Sequence, residues 1–155
     1  MEKILIGIDK NNIDLRPCIH AINLAKRMNR TKLYCLMILD KSKIKSDNPY
    51  DKIEIQRKES ANVKNEQALE VSPKNDLESL IEDGRSKGII IDYYMVEGNF
   101  QDEIINFVKS HRIDLFVIGS PLKKTNLTEK EAFTEFIEKI RHKIDCRIEV
   151  VHGEY

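Results

Sequence analysis

Asp9, Gly119 and Ser120 are the residues of this chain whose types and places are best suited to chemistry. Asp9 closes the run Lys3-Ile4-Leu5-Ile6-Gly7-Ile8-Asp9, and Gly119-Ser120 closes a second run, Asp114-Leu115-Phe116-Val117-Ile118-Gly119-Ser120. A short apolar run that ends in a small or acidic residue is the pattern of a strand buried on both faces of a parallel sheet. Open α/β sheets bind ligands outside the carboxyl ends of such strands. If the two strands are neighbours, one sheet edge carries a carboxylate beside a Gly-Ser turn, a pairing suited to a sugar hydroxyl and a phosphate. Asp9 serves equally well as the cap of a turn after its strand.

The turn itself is Gly119-Ser120-Pro121-Leu122-Lys123-Lys124. It begins as a phosphate loop does and then lacks the glycines that let backbone amides close on an anion. Pro121 removes one donor and restricts Ser120. Leu122 sets a branched side chain where a phosphate oxygen needs to approach. Glu129 and Glu131 add negative charge nearby, each costing an adjacent anion on the order of a few kcal/mol at an effective dielectric near 20. Lys123 and Lys124 offset part of this, and as a pair in a polar loop they also suit a solvated surface.

Other chemistries are excluded by spacing. Ser120 has no G-x-S-x-G elbow and no histidine placed by motif to activate it. No Walker loop and no G-x-G-x-x-G occurs. His20, His111, His142 and His152 form no metal-binding pair, and Cys18, Cys35 and Cys146 never reach metal-ligand spacing. The cysteines therefore read as small buried hydrophobes of a reducing compartment. No catalytic residue and no metal ligand is assigned.

The 155 residues suit one domain spanning 1–155, with a core that needs no staple. Twenty-six basic residues balance twenty-six acidic ones, and no basic stripe is interleaved with aromatics, which argues against a nucleic-acid partner. The longest apolar run is about seven residues against the roughly 20 of a membrane span. Met1-Glu2-Lys3 leads directly into a strand, so the expected location is cytoplasmic.

The elements that must position the edge follow from periodicity. Residues 14–29 predict a helix with Asp14 as its cap and Pro17 in its first turn. Lys32 to Leu39 predicts a second buried strand. Residues 40–57 are polar and turn-rich, and 58–71 predict a weakly amphipathic helix. Ser72-Pro73 opens a helix with Leu77, Leu80 and Ile81 inward and Gly88 as its stop. Ile89 to Val96 is a third strand, Gly98-Asn99 a turn, and Phe100 to Arg112 a helix. Thr128-Glu129-Lys130-Glu131 fits a capping box before a helix that uses Phe133, Phe136, Ile137, Ile140 and Ile144. Cys146 to Val151 is the fifth strand. The alternation predicts a doubly wound α/β layer with right-handed crossovers.

Taken in order, the first strand ending in Asp9, Val96-Glu97-Gly98, Asp114 to Ser120 and the terminal Cys146-Arg147-Ile148-Glu149-Val150-Val151 resemble a universal stress protein over nearly the whole chain. The resemblance implies an open five-stranded parallel sheet in order 3-2-1-4-5 with helices on both faces, usually a homodimer, and in one branch bound ATP. That branch carries G-x-x-G, nine residues, then G-[S/T]. Here Gly119 matches the first glycine and the second falls on Leu122. The third falls on Ala132, or on Thr134-Glu135 if two residues are inserted. The resemblance thus implies the branch without the complete glycine motif. In the nucleotide alternative, Asp9, Gly119 and Ser120 would bind ATP, with Ile38 where similar proteins place a valine against the base.

The last strand alternates Cys146, Ile148 and Val150 with Arg147 and Glu149, and a terminal strand leaves an edge that must be covered or defended. In similar proteins this edge pairs antiparallel with its twin. A two-fold axis beside Ile148 would set Arg147 opposite the partner's Glu149, favouring self-pairing by a few tenths to about 1 kcal/mol per pair. The expectation is a non-enzymatic stress-response protein without cofactor. It would act as a homodimer through Arg147, Ile148, Glu149 and Val150, and through protein or weak small-ligand contacts. The alternatives are an ATP-binding, slowly hydrolysing protein, or a nucleotide hydrolase or ligase on the same scaffold. The last needs a Gly- and Ser-rich first loop, and Lys10-Asn11-Asn12 is neither.

Overall fold

A computed structural model describes residues 1–41, 73–121 and 127–153. The strands are β1 (Glu2–Asp9), β2 (Thr31–Leu39), β3 (Ile90–Glu97), β4 (Leu115–Gly119) and β5 (Arg147–Val151). The helices among the described residues are α1 (Arg16–Arg27), α2 (Pro73–Ser86), α3 (Phe100–His111) and α4 (Leu127–Lys143). The strands form one sheet in order β3-β2-β1-β4-β5, and every pairing is parallel. Fold class and strand order are therefore as expected.

β1 is the centre because it is apolar on both faces. Ile4, Ile6 and Ile8 face a core shared with Cys18 and Ile22 of α1 and Leu77 and Ile81 of α2. Leu5 faces the opposite core, with Ile104 and Phe107 of α3 and Ile137 and Ile140 of α4. Each such side chain, fully withdrawn from water, contributes about 1.5–3 kcal/mol. Gly7 sits on the second face because nothing larger fits: a Cβ there would lie 2.9 Å from both Ile104 Cδ1 and Phe116 Cε1. Its missing side chain lets α3 and β4 close on the strand that ends in Asp9.

The helix ends follow local chemistry with two corrections. Asn99 caps α3 by accepting from the Asp102 amide at 3.1 Å, and Arg112 closes it in the left-handed region at φ 54°. Gly88 (φ 87°) follows the end of α2, as expected. Asp14, in contrast, is not the residue that caps α1. The helix starts at Arg16 behind Leu15, so Asp14 stands one residue outside the cap position, where its Oδ1 accepts the Arg16 amide at 3.0 Å while the carboxylate also binds the Arg16 side chain. Thr128 likewise does not precede its helix, since Leu127 is already helical. The expectations for residues 42–71, Ser72, Leu122, Lys123 and Lys124 lie outside the described residues.

Cys18 and Cys35 are completely buried in the first core. Burial pushes the Cys18 thiol up to about 12 and holds Cys35 well above its ordinary value. Half-buried Cys146 is pushed up to about 11, again mainly by burial. All three are neutral thiols at physiological pH, the protonation state expected of packing groups. Among the described residues no helix is long and apolar enough to cross a membrane.

Candidate functional site

Parallel pairing of β1 with β4 brings their carboxyl ends to one edge, as the two apolar runs require. A cavity of about 680 Å³ opens there. Its floor is Gly7, Ile8 and Asp9 of β1 with Ile118, Gly119, Ser120 and Pro121 at the end of β4. The segment Asn12 to Pro17 forms one wall, and Phe100, Glu129, Ala132, Phe133 and Phe136 form the other. The volume lies inside the roughly 300–1,000 Å³ of small-molecule pockets. Sequence periodicity marked Phe133 and Phe136 as core and gave Phe100 only as the start of its helix. They are only partly buried, with Phe100 and Phe136 ring centroids 5.5 Å apart, and present an aromatic wall to the cavity.

Asp9 closes a turn and also stands at the cavity. Its Oδ1 accepts the Asn11 amide at 2.9 Å and its carbonyl accepts the Asn12 amide at 3.1 Å, a turn closed by the aspartate itself. The same residue lines the cavity. The adjoining chain is fixed by Lys10, whose amide donates to the Ile38 carbonyl at 2.9 Å. Ile38 stands apart from this lining. Its side chain is completely buried in the second core and is not on the cavity wall, because its position in β2 turns it toward α3 and α4.

At the end of β4 the backbone is already engaged. The Ser120 amide donates to the Val151 carbonyl at 2.9 Å, and its hydroxyl donates to the same oxygen at 3.2 Å. The Ser120 carbonyl accepts from Arg16 Nη2. Arg16 is 9% exposed, and its Nη1 donates to the Gly153 carbonyl at 2.9 Å. Its remaining edge meets Asp14, with Nε 2.9 Å from Oδ1 and Nη2 2.6 Å from Oδ2. The Arg16 amide also donates to Asp14 Oδ1, at 3.0 Å. This bidentate pair leans on Gly119, where a Cβ would lie 3.1 Å from Asp14 Cγ and nearer still to Oδ2.

Sequence reasoning missed this cluster. The D-x-R spacing carries no signal on a helix, where residues two apart do not face each other. The carbonyls that anchor Arg16 lie 104 and 137 positions away.

The described lining carries three carboxylates, Asp9, Asp14 and Glu129, against the single guanidinium of Arg16. It holds no histidine or cysteine, and the Ser120 hydroxyl donates to a carbonyl rather than to a base. Nothing in that lining prepares a nucleophile. Among the described residues no group of three histidine, cysteine or acidic side chains could hold a metal ion. The arrangement suits a small molecule with a ring for the aromatic wall and hydroxyl or amino groups for the carboxylates.

β5 is the last strand of the sheet, and its charged residues lie beside other side chains of the same chain. Glu149 Oε1 lies 3.0 Å from His20 Nε2 of α1, and Arg147 pairs with Glu2 of β1. Both project toward the first core's face, on the side of Val151, while Ile148 and Val150 pack against the second.

Three solved structures are similar over almost the full chain. A universal stress protein from Lactobacillus plantarum is 18% identical with a TM-score of 0.64, covering 97% of each chain. A universal stress protein in complex with cAMP is 15% identical with a TM-score of 0.60, covering 97% of this chain and 96% of that one. An Arabidopsis thaliana universal stress protein family protein with AMP bound is 16% identical with a TM-score of 0.52, covering 99% and 93%. No curated protein matches the sequence. The model of the universal stress protein family matches residues 1–152, and the chain belongs to that family.

Proposed function

We propose that this universal stress protein is a non-enzymatic, cytoplasmic stress-response protein. It acts as a homodimer through protein contacts and weak binding of a small ligand, and it does not hold a nucleoside triphosphate tightly. One observation carries the reading. The Ser120 amide, the first donor a phosphate would need, already donates to Val151, and Arg16 is held by Asp14 and two carbonyls. Binding a triphosphate must first break these bonds, and losing a bond to a charged group costs about 1.5–3 kcal/mol. Pro121 contributes no amide, which supports the same conclusion.

Titration of ATP with magnesium, followed by calorimetry and thermal shift, tests this. No saturable heat and no shift are expected at tens of micromolar. Micromolar binding at one ligand per chain overturns the reading, and it would be plain, because a hundredfold excess over Kd stabilises by about 2.7 kcal/mol.

Nucleotide binding is the second reading. It is favoured by a cavity of about 680 Å³ with an aromatic wall and by similar proteins that hold AMP and cAMP. There Asp9, Gly119 and Ser120 would contact the ligand, while Ile38 contributes only through its backbone.

The dimer is proposed to pair β5 with its twin around Ile148. Because Arg147 is paired with Glu2, the drive for pairing would come mainly from strand hydrogen bonds and from Ile148 and Val150 rather than from ion pairs across the axis. Sedimentation equilibrium at tens of micromolar should give twice the chain mass, and a monomer there removes the dimer.

A further inference from the structure

We infer that the Asp14–Arg16 pair is the specificity determinant of the carboxyl-edge cavity: Asp14 occupies the place an anion would take, so that uncharged ring-bearing molecules enter and their phosphate esters are turned away. This deepens the small-ligand reading above and rests on it.

Three observations converge on Asp14. Its carboxylate lies against the bare Cα face of Gly119, at the end of β4, where an anion approaching this sheet edge would come closest to backbone. It is held there by the Arg16 guanidinium and by the first amide of α1, donors of the kind that bind phosphate oxygens. And it stands on the cavity wall with its side chain 32% exposed, so an entering anion meets its charge directly. Asp14 thus answers, from within the chain, the positive field that Arg16 and the α1 terminus would offer a ligand. An uncharged ring meets no such opposition. It can pack on Phe100, Phe133 and Phe136 and hydrogen-bond to Asp9 or Asp14.

Arg16 is the other half of the device. Its two carbonyl partners, on Ser120 and Gly153, hold the guanidinium at the edge independently of Asp14. Removing the Asp14 carboxylate should therefore leave a cation in place facing the cavity rather than release the side chain. The pair is a latent anion receptor with its counter-ion built in.

The test uses adenosine and AMP as probes that differ by one phosphate, titrated calorimetrically against the full chain, Asp14→Ala, Asp14→Asn and Asp14→Ala/Arg16→Ala. Circular dichroism confirms that each variant is folded. Asp14→Asn keeps an acceptor for the α1 amide and for Nε, so the charge can be removed with little structural loss. Relative to the wild type, AMP affinity should rise tenfold or more in Asp14→Ala and in the same direction in Asp14→Asn. Adenosine affinity should move less than threefold, and the AMP gain should vanish in the double variant. A folded Asp14→Asn and Asp14→Ala with AMP affinity unchanged overturns the inference. So does an equal gain for adenosine, or a gain that survives loss of Arg16. Tight ATP binding by the wild type would instead sink the small-ligand reading, while the change between wild type and variant still reports on Asp14.

Discussion

Replacing Gly119 by alanine tests the geometry of the site most directly, because the obstacles to a side chain there are the two members of one pair, Asp14 foremost and Arg16 beside it. The new Cβ would lie 2.9 Å from Arg16 Nη2 and 3.1 Å from Asp14 Cγ, with Asp14 Oδ2 closer than either. Gly119 is not among the glycines with positive φ, so backbone strain adds nothing and the cost is that of the clash. Asp14 is a short side chain bound at both oxygens by Arg16, and it cannot swing aside without parting the pair. Overpacking alone costs about 1–3 kcal/mol. Breaking a buried pair costs up to about 3–5 kcal/mol, reduced here because Asp14 remains about a third exposed and water can replace part of what it loses. Together these give an expected loss of about 2–4 kcal/mol, a fall in Tm of roughly 5–15 °C for a chain of this size. Urea and thermal unfolding measure it. The same substitution in an Asp14→Ala background should cost less by about 0.5–3 kcal/mol, the coupling of neighbours that share a contact, with the remainder set by the 2.9 Å approach to Arg16 Nη2. A loss below about 0.5 kcal/mol, or an equal loss with and without Asp14, refutes the placement of the carboxylate against β4.

Asn99→Ala should remove the cap of α3 and lower stability by about 1 kcal/mol, seen as a shift of the urea midpoint at constant slope; an unmoved midpoint would show the Asn99–Asp102 bond contributes nothing. Cys18 and Cys35 should resist a thiol reagent in the native protein at pH 8, with Cys146 labelling first; labelling of Cys18 faster than global unfolding contradicts its burial. Because the folded Cys18 thiol is raised to about 12 from an ordinary value of 9.0, its contribution is present below pH 9 and lost as pH rises toward 12. Stability should fall over that window, and Cys18→Ala should flatten the fall; an identical slope in the variant would assign it to other groups.

Much of the molecule was legible from residue order alone. Runs such as Lys3 to Asp9 and Lys32 to Leu39 can satisfy a strand buried on two faces and little else, so the parallel sheet, its alternating helices and the edge that joins Asp9 to Gly119-Ser120 follow from pattern. Asn99 could be placed in its turn because capping is a bond between near neighbours. What pattern could not supply was the choice among acceptors far apart in the chain. Asp14 reads only as a helix-end acceptor, and it does take the first amide of α1, but tertiary folding also brings Arg16 between the carbonyls of Ser120 and Gly153 and sets its guanidinium on the same carboxylate. Arg147 and Glu149 read only as an alternating edge pair, and the folded sheet additionally sets Glu2 and His20 beside them. Short-range order is written in local sterics and periodicity, whereas the partner of a charged side chain is whichever opposite group the finished packing leaves nearest, and only the closed structure decides that.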